Sequence, residues 1–426
     1  MIRQRQTLLI ALLACFFSQY TMAQFTLSGE FRPRLEYNHG YKSLAGNDQK
    51  PGTFITQRTR LNLDYAGSGF RTGLVLQDVR LWGSQPQLVG NEDHAVSIHQ
   101  AWAEWLFCKG WSVKAGRQEL VYDNARIFGN VDWVQQARSH DAVVLKYEKD
   151  FKMHLGLAYH ESGSLTNNYY FGPDAYKAMQ YLWLNRKFNK LSLSFLFLNN
   201  GRPVNIKDTA NQVIDQEIEY SQTTGLHAVY QHDAMTFTGY AYFQGGKNGT
   251  GKEVSATNLS LELAYRLSEN YLFTLGVEQL SGISQLDPGD KVTAFNPLYG
   301  TNHAFNGWMD YFYVGNHLNS VGLVNPYMKF DYKRDAYTFG LYAHYLMAAA
   351  DIADPVKPNT AMERTLGTEI DLSLGYTLNP QASIRLGYSQ MFGTPSLEVL
   401  KGGDHAEVNN WAWCMLIFKP VFLKNQ

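Results

Sequence analysis

The sequence predicts an all-β fold: a transmembrane antiparallel β-barrel of about 18 strands with short periplasmic turns and long extracellular loops. Three observations predict it. Apolar and polar residues alternate with period two from just behind a secretion signal almost to the last residue. Short and long connections follow one another in turn between these stretches. Aromatics reach 14% of the 426 residues while charged residues stop at 18%. A strand with lipid on one face and water on the other must alternate in this way. Inside a membrane every backbone N–H and C=O must be paired, so an all-strand membrane protein closes into a barrel. Mean hydropathy is still −0.30, because half of each strand faces water. Behind the signal there is no run of about 18 apolar residues that could span as a helix.

The first element is a signal peptide over residues 1–23. Arg3 and Arg5 give the positive region, Leu8 to Phe17 the apolar stretch, and Thr21-Met22-Ala23 a small-residue cleavage site that leaves Gln24 as the mature start. A lipobox at Leu12-Leu13-Ala14-Cys15 is the alternative, but the apolar core before it is short. Residues 24–426 then read as one barrel domain. Cys108 and Cys414 remain, in the fourth and last strand regions, and two cysteines make no metal-ligand set.

The mature chain opens on Phe25 to Tyr37, where odd positions are apolar or small and even positions polar. Next, Leu61, Leu63 and Tyr65 face out while Arg58, Arg60, Asn62 and Asp64 face in. Residues 70–82 change phase, as a β-bulge would make them do. Further on, Leu155, Leu157 and Tyr159 alternate with His154 and His160, and Leu259, Leu261 and Leu263 with Ser260 and Glu262. Tyr337 to Tyr345, Glu369 to Tyr376 and Ser383 to Ser389 repeat the pattern. Tyr37, Tyr65, Tyr159, Tyr265 and Tyr376 at strand ends suit interface belts. The last strand, Trp411 to Phe418, is aromatic, with Phe422 close to the end.

The connections test this reading independently. Gly67-Ser68-Gly69, Lys109-Gly110, Lys149-Asp150, Asn189-Lys190, His232-Asp233, Arg334-Asp335 and Asn379-Pro380 carry tight-turn chemistry. Long connections fall near 39–52, 83–95, 120–138, 162–176, 200–221, 245–254, 281–321, 348–363 and 392–407. Eighteen strands with both termini periplasmic need about nine long loops and eight turns.

Net charge of −1 gives no general argument for nucleic acid or an acidic substrate, so selectivity must come from local placement. The densest charge lies in Gly116-Arg117-Gln118-Glu119, Asp123, Arg126, Asp132, Arg138 and Asp141, in the connection after strand five. One reading is a loop folded into the lumen whose arginines narrow and tune the pore, since Arg rings favour anions and bind carboxylates in pairs. The other is a surface loop held by its own ion pairs. His94, His99, His140, His154 and His160 have no zinc-ligand spacing and read as lumen-facing polar residues. Asp287-Pro288-Gly289-Asp290 reads as a turn, and no Gly-x-Ser-x-Gly elbow marks a hydrolase.

Arg58-Thr59-Arg60-Leu61, Gly116 to Leu120, Gly129-Asn130-Val131-Asp132-Trp133, Arg138 and Asp141-Ala142-Val143 together resemble the alginate-export family of outer-membrane barrels. Asn296 to His303 leading into Gly307 to Phe312 is similar to a segment of its broader branch. The resemblance implies eighteen strands around an arginine-rich constriction that passes an acidic polysaccharide. It places the lumen role on Arg58, Arg60, Arg117, Arg126 and Arg138. Asp64, Glu104, Glu262, Glu369 and Asp371 share inward parities, so the lumen is mixed in sign.

The expectation is therefore a monomeric channel in the Gram-negative outer membrane. It would pass anionic oligo- or polysaccharide, or similar anionic solutes, by diffusion, with no covalent step, no cofactor, no metal and no nucleic acid. Its partners would be outer-membrane lipid, the saccharide, and periplasmic secretion or degradation proteins. Replacing Arg117 and Arg126 would lower anion preference. The alternatives are a general porin, or a plugged barrel whose 281–321 loop serves as a surface scaffold. An enzyme would need a Ser or Thr nucleophile with a His near the membrane rim.

Overall fold

The computed structural model describes residues 24–88, 96–161, 170, 176–301, 303–313 and 315–425. The signal peptide and His94 lie outside them. Strands β1 (Gln24–His39), β2 (Gly52–Ala66), β3 (Phe70–Leu81), β4 (Val96–Cys108), β5 (Trp111–Gln118) and β6 (His140–Glu148) open the sheet. β7 (Lys152–Tyr159), β8 (Ala178–Phe188), β9 (Leu191–Lys207), β10 (Val213–His232), β11 (Met235–Gly246), β12 (Ala256–Arg266) and β13 (Tyr271–Leu280) continue it. β14 (Leu323–Arg334), β15 (Tyr337–Met347), β16 (Thr365–Asn379), β17 (Ala382–Gly393), β18 (Asn409–Phe418) and β19 (Val421–Lys424) complete it. A short helix, α1 (Pro395–Lys401), lies between β17 and β18.

From β1 to β18 consecutive strands pair antiparallel, and β1 pairs with both β2 and β18, so the sheet closes on itself. β19 continues the eighteenth position: Pro420 has no N–H to give the ladder, and its carbonyl instead accepts Gly29 N at 2.9 Å. Closure gives each of β1 to β18 a neighbour on both sides, as the hydrocarbon requires. Outward positions carry Leu61, Leu155, Leu261, Leu341 and Leu386, all exposed. Tyr37 and Tyr159 sit outward near the long-loop ends of their strands, and Tyr65, Tyr265 and Tyr376 near the short-turn ends, giving two girdles.

Two expectations are corrected. Residues 200–221 are not a loop. β9 and β10 run on as a long hairpin through this region and meet at the turn 208–212, because Val204, Ile206, Ile218 and Tyr220 keep the strand period. β3 carries no bulge against β2, with which it pairs without a break. The register shift falls between β3 and β4 and skips His99, turning that side chain into the lumen.

The long connections after β5 and β13 fold back into the barrel. They bury Phe128, Ile127, Tyr299, Met309 and Tyr311 against wall residues such as Tyr181, Leu198 and Trp411.

Candidate functional site: a constriction built by two inward loops

The site begins with parity. Glu30, Arg32, Arg34 and Glu36 occupy the inward face of β1, and Arg58 and Arg60 that of β2. The register sets Arg32 opposite Arg58 and Glu30 opposite Arg60. Two guanidiniums facing each other repel, so anions must stand between them. Glu30 supplies one, with Oε1 2.6 Å from Arg58 Nη2.

The loop after β5 delivers the second. Asp132 Oδ1 lies 2.8 Å from Arg58 Nη2 and 3.8 Å from Arg60 Nη1, and Oδ2 lies 3.4 Å from Arg32 Nη1. Arg32 Nη2 donates to the Asp132 carbonyl at 2.9 Å and Arg34 Nη1 to that of Trp133 at 2.8 Å. Arg34 also covers the Trp133 ring at 4.3 Å and pairs with Glu36 at 2.9 Å. Burial alone would raise the Asp132 carboxyl, but Arg58 and Arg32 hold it below the usual range. Where the loop begins, burial likewise opposes Glu119, and its hydrogen bonds from His99 and Asn130 hold it low.

The loop after β13 locks onto the first. Gly129 N donates to Tyr299 O and Thr301 N to Ala125 O, both at 2.8 Å, and Phe128 stacks on Tyr299 at 5.6 Å. Arg138 Nη1 donates to Gly300 O at 3.0 Å. Only glycine fits at 300, since a Cβ there would lie 2.2 Å from Arg126 O. Arg126 reaches the wall as an ion pair, its Nε 2.6 Å from Glu278 Oε1 but not aligned as a hydrogen bond. Glu278 also accepts from Tyr240 Oη at 2.7 Å and Asn258 Nδ2 at 2.9 Å. Farther along, Met309 N donates to Glu369 Oε1 at 2.7 Å, and Gly307, at φ +89°, leaves room for that carboxyl.

Arg58, Arg60, Arg126 and Arg138 thus all lie at the two-loop assembly as anchors, the first three against carboxylates and Arg138 against the Gly300 carbonyl. In the β1–β2 cluster four guanidiniums meet the three carboxylates Glu30, Glu36 and Asp132, an excess of one formal positive charge, with the exposed Lys419 3.9 Å from Glu30 beside it. Arg117 is a correction. It shares the outward parity of Val113 and Ala115 on β5 and bridges to Asp141 at 3.0 Å on the outer face. Replacing Arg117 with alanine is therefore expected to leave the reversal potential in a salt gradient unchanged, and a shift toward cations would contradict its placement. Asp64 is exposed on the inward parity near the periplasmic end of β2, away from the constriction. Glu104 belongs to a wall network with Ser112 at 2.8 Å and Lys146 at 3.2 Å. Arg32, Arg34 and Glu278 were missed in the sequence as site residues. Even-position parity was the available signal for all three, since Phe273, Leu275 and Val277 alternate with Thr274, Gly276 and Glu278 just as β1 alternates.

Two cavities flank the second loop. The outer one, about 490 Å³, is lined by Asn200, Arg202, Asn248 and Asn296. The inner one, about 900 Å³, is lined by Arg32, Asp132, Trp133, Trp308, Lys333 and Arg385.

The profile of the alginate export family matches residues 23–393. The chain belongs to the alginate export family. No curated protein matches it by sequence. Among solved structures it is similar to OccK9 (OpdG) of Pseudomonas aeruginosa, at 12% identity over 93% of this chain and 98% of that one, with a TM-score of 0.63. It is also similar to OccAB1 of Acinetobacter baumannii, at 12% identity over 94% and 97%, with a TM-score of 0.62. At such identity the likeness concerns the fold. Family and fold make this alginate-export-family member an outer-membrane channel and not an enzyme.

Proposed function

We propose that this channel passes anionic, uronate-type oligo- or polysaccharide by passive diffusion. The observation that carries the reading is the inner cavity. There Lys333 and Arg385 have no ion-pair partner among the described residues, and the rings of Trp308 and Tyr342 line the same cavity, with Asp331 as a carboxylate beside them. Free cations suit sugar carboxylates, and aromatic faces suit the apolar faces of pyranose rings. Selectivity in this reading comes from these free groups and from the single unbalanced charge of the β1–β2 cluster. The channel works as a monomer without a cofactor, and exchanges saccharide with periplasmic secretion or degradation partners.

The double variant Lys333→Gln/Arg385→Gln is expected to lower the anion-to-cation permeability ratio in a planar bilayer under a salt gradient. Cation preference in the unmodified protein would overturn the reading. The plugged-barrel alternative draws on the buried contact between the two loops, and a protein silent in the bilayer would favour it.

A further inference from the structure

The outer cavity differs in chemistry from the inner one. Its residues come from the long-loop ends of β9, β10 and β11 and from the loops after β11 and β13. Among the described residues that line it, Arg202 is the only charged one, and the other polar ones are amides and hydroxyls. Among the described residues, no carboxylate and no aromatic ring lines it. Its volume of about 490 Å³ falls within the range of small-ligand sites.

Arg202 is left unneutralised by the geometry around it. The residue opposite it on β10 is Glu219, the natural partner across the ladder. That carboxylate is taken by Lys247 Nζ at 2.9 Å, and Arg202 makes no ion pair among the described residues. Its stem packs on Gly249, where an added Cβ would stand 3.1 Å from Arg202 Cδ. The guanidinium is thus positioned by its stem and free of an ion pair among the described residues.

The cavity's polar lining is held in place. Gln244 Nε2 donates to Asn296 O at 2.7 Å, and Asn296 N donates to Gln244 Oε1 at 2.9 Å. Asn200 is 1% exposed; its Oδ1 accepts from Tyr299 Oη, and its Nδ2 has no partner among the described residues. Asn248 Oδ1 is used by Thr250 and Lys252, so its amide nitrogen is the group left to donate. An unpaired guanidinium among fixed amides fits a ligand with one carboxylate and many hydroxyls.

We propose that the outer cavity is a docking subsite for one carboxylated sugar unit of the saccharide, with Arg202 as its anion anchor. The inference rests on the anionic-saccharide reading above and adds a site outside the constriction. A saccharide chain engages it on the long-loop side of the two inward loops.

The test is single-channel recording with a short oligouronate added to each side in turn. From the long-loop side, the native protein is expected to show transient blocks. Arg202→Gln should shorten their residence time about tenfold, the scale of one charge-assisted hydrogen bond. Arg202→Lys should restore part of it, and blocks by a neutral oligosaccharide of equal length should not change. Unaltered residence in Arg202→Gln, or blocks from the periplasmic side alone, would overturn the subsite while leaving the anionic-saccharide reading intact. Absence of block from both sides would overturn both.

Discussion

Replacing Asp132 with alanine is expected to raise both the conductance and the anion preference of the channel. Asp132 is the carboxylate that the first inward loop inserts among Arg32, Arg58 and Arg60. Without it four guanidiniums face only Glu30 and Glu36, so the formal excess grows from one positive charge to two. The loop also loses its charged contact with β2. Asp132→Asn keeps the shape and removes the charge, so it should reproduce the change in selectivity with less change in conductance. An unchanged reversal potential in both variants would show that ions do not sense this cluster. Acid should act in the same direction, within a defined window. The carboxyl of Asp132 is held below its ordinary value, so its contribution is complete above about pH 4 and is lost as pH falls through the lowered value. Between neutrality and about pH 5 this group should produce no change.

The largest loss of stability is expected from Glu278→Gln. Both side chains of the Arg126–Glu278 pair are 3% exposed. Removing one partner strands the other charge in a nearly dry site, at a cost of about 3–5 kcal/mol. Glutamine still offers an oxygen to Tyr240 and Asn258, so the effect reports the charge and not those two hydrogen bonds. Arg126→Met combined with Glu278→Gln should recover most of the loss, because a neutral packed pair avoids the desolvation of both ions. Urea unfolding of the refolded barrel in detergent measures the cycle. A single variant as stable as the native protein would mean that water reaches Arg126 and the pair is not a buried anchor.

The anchoring role of the arginines also explains why the charge-dense segment was hard to read. The sequence offered two readings of residues 116–141, an inward loop that tunes the pore and a loop held by its own ion pairs. The structure combines parts of both. The loop turns inward, yet its charges pair mainly with the wall, Asp132 with β1 and β2 and Arg126 with β13. Only Arg117, with Asp141, behaves as a surface pair of that segment.

The alternation of Phe25 to Tyr37 and of Arg58 to Tyr65 was enough to settle which side chains meet lipid and which meet the lumen, because a strand's period is two and a membrane admits only a closed sheet. Turn chemistry at Gly67-Ser68-Gly69 and Asn379-Pro380 then fixed which end of the barrel carries the short connections. Residues 200–221 misled because their polar content suited a loop, while the antiparallel partner that keeps them extended is visible only in three dimensions. The lumen was beyond the sequence for a related reason. Parity states that Arg58 points inward, but Asp132 lies 74 positions away along the chain. Whether Arg58 is a free cation or a neutralised anchor depends on where a long loop comes to rest. That resting place follows from packing between two loops, Phe128 on Tyr299 and Gly300 against Arg126, which no local pattern encodes.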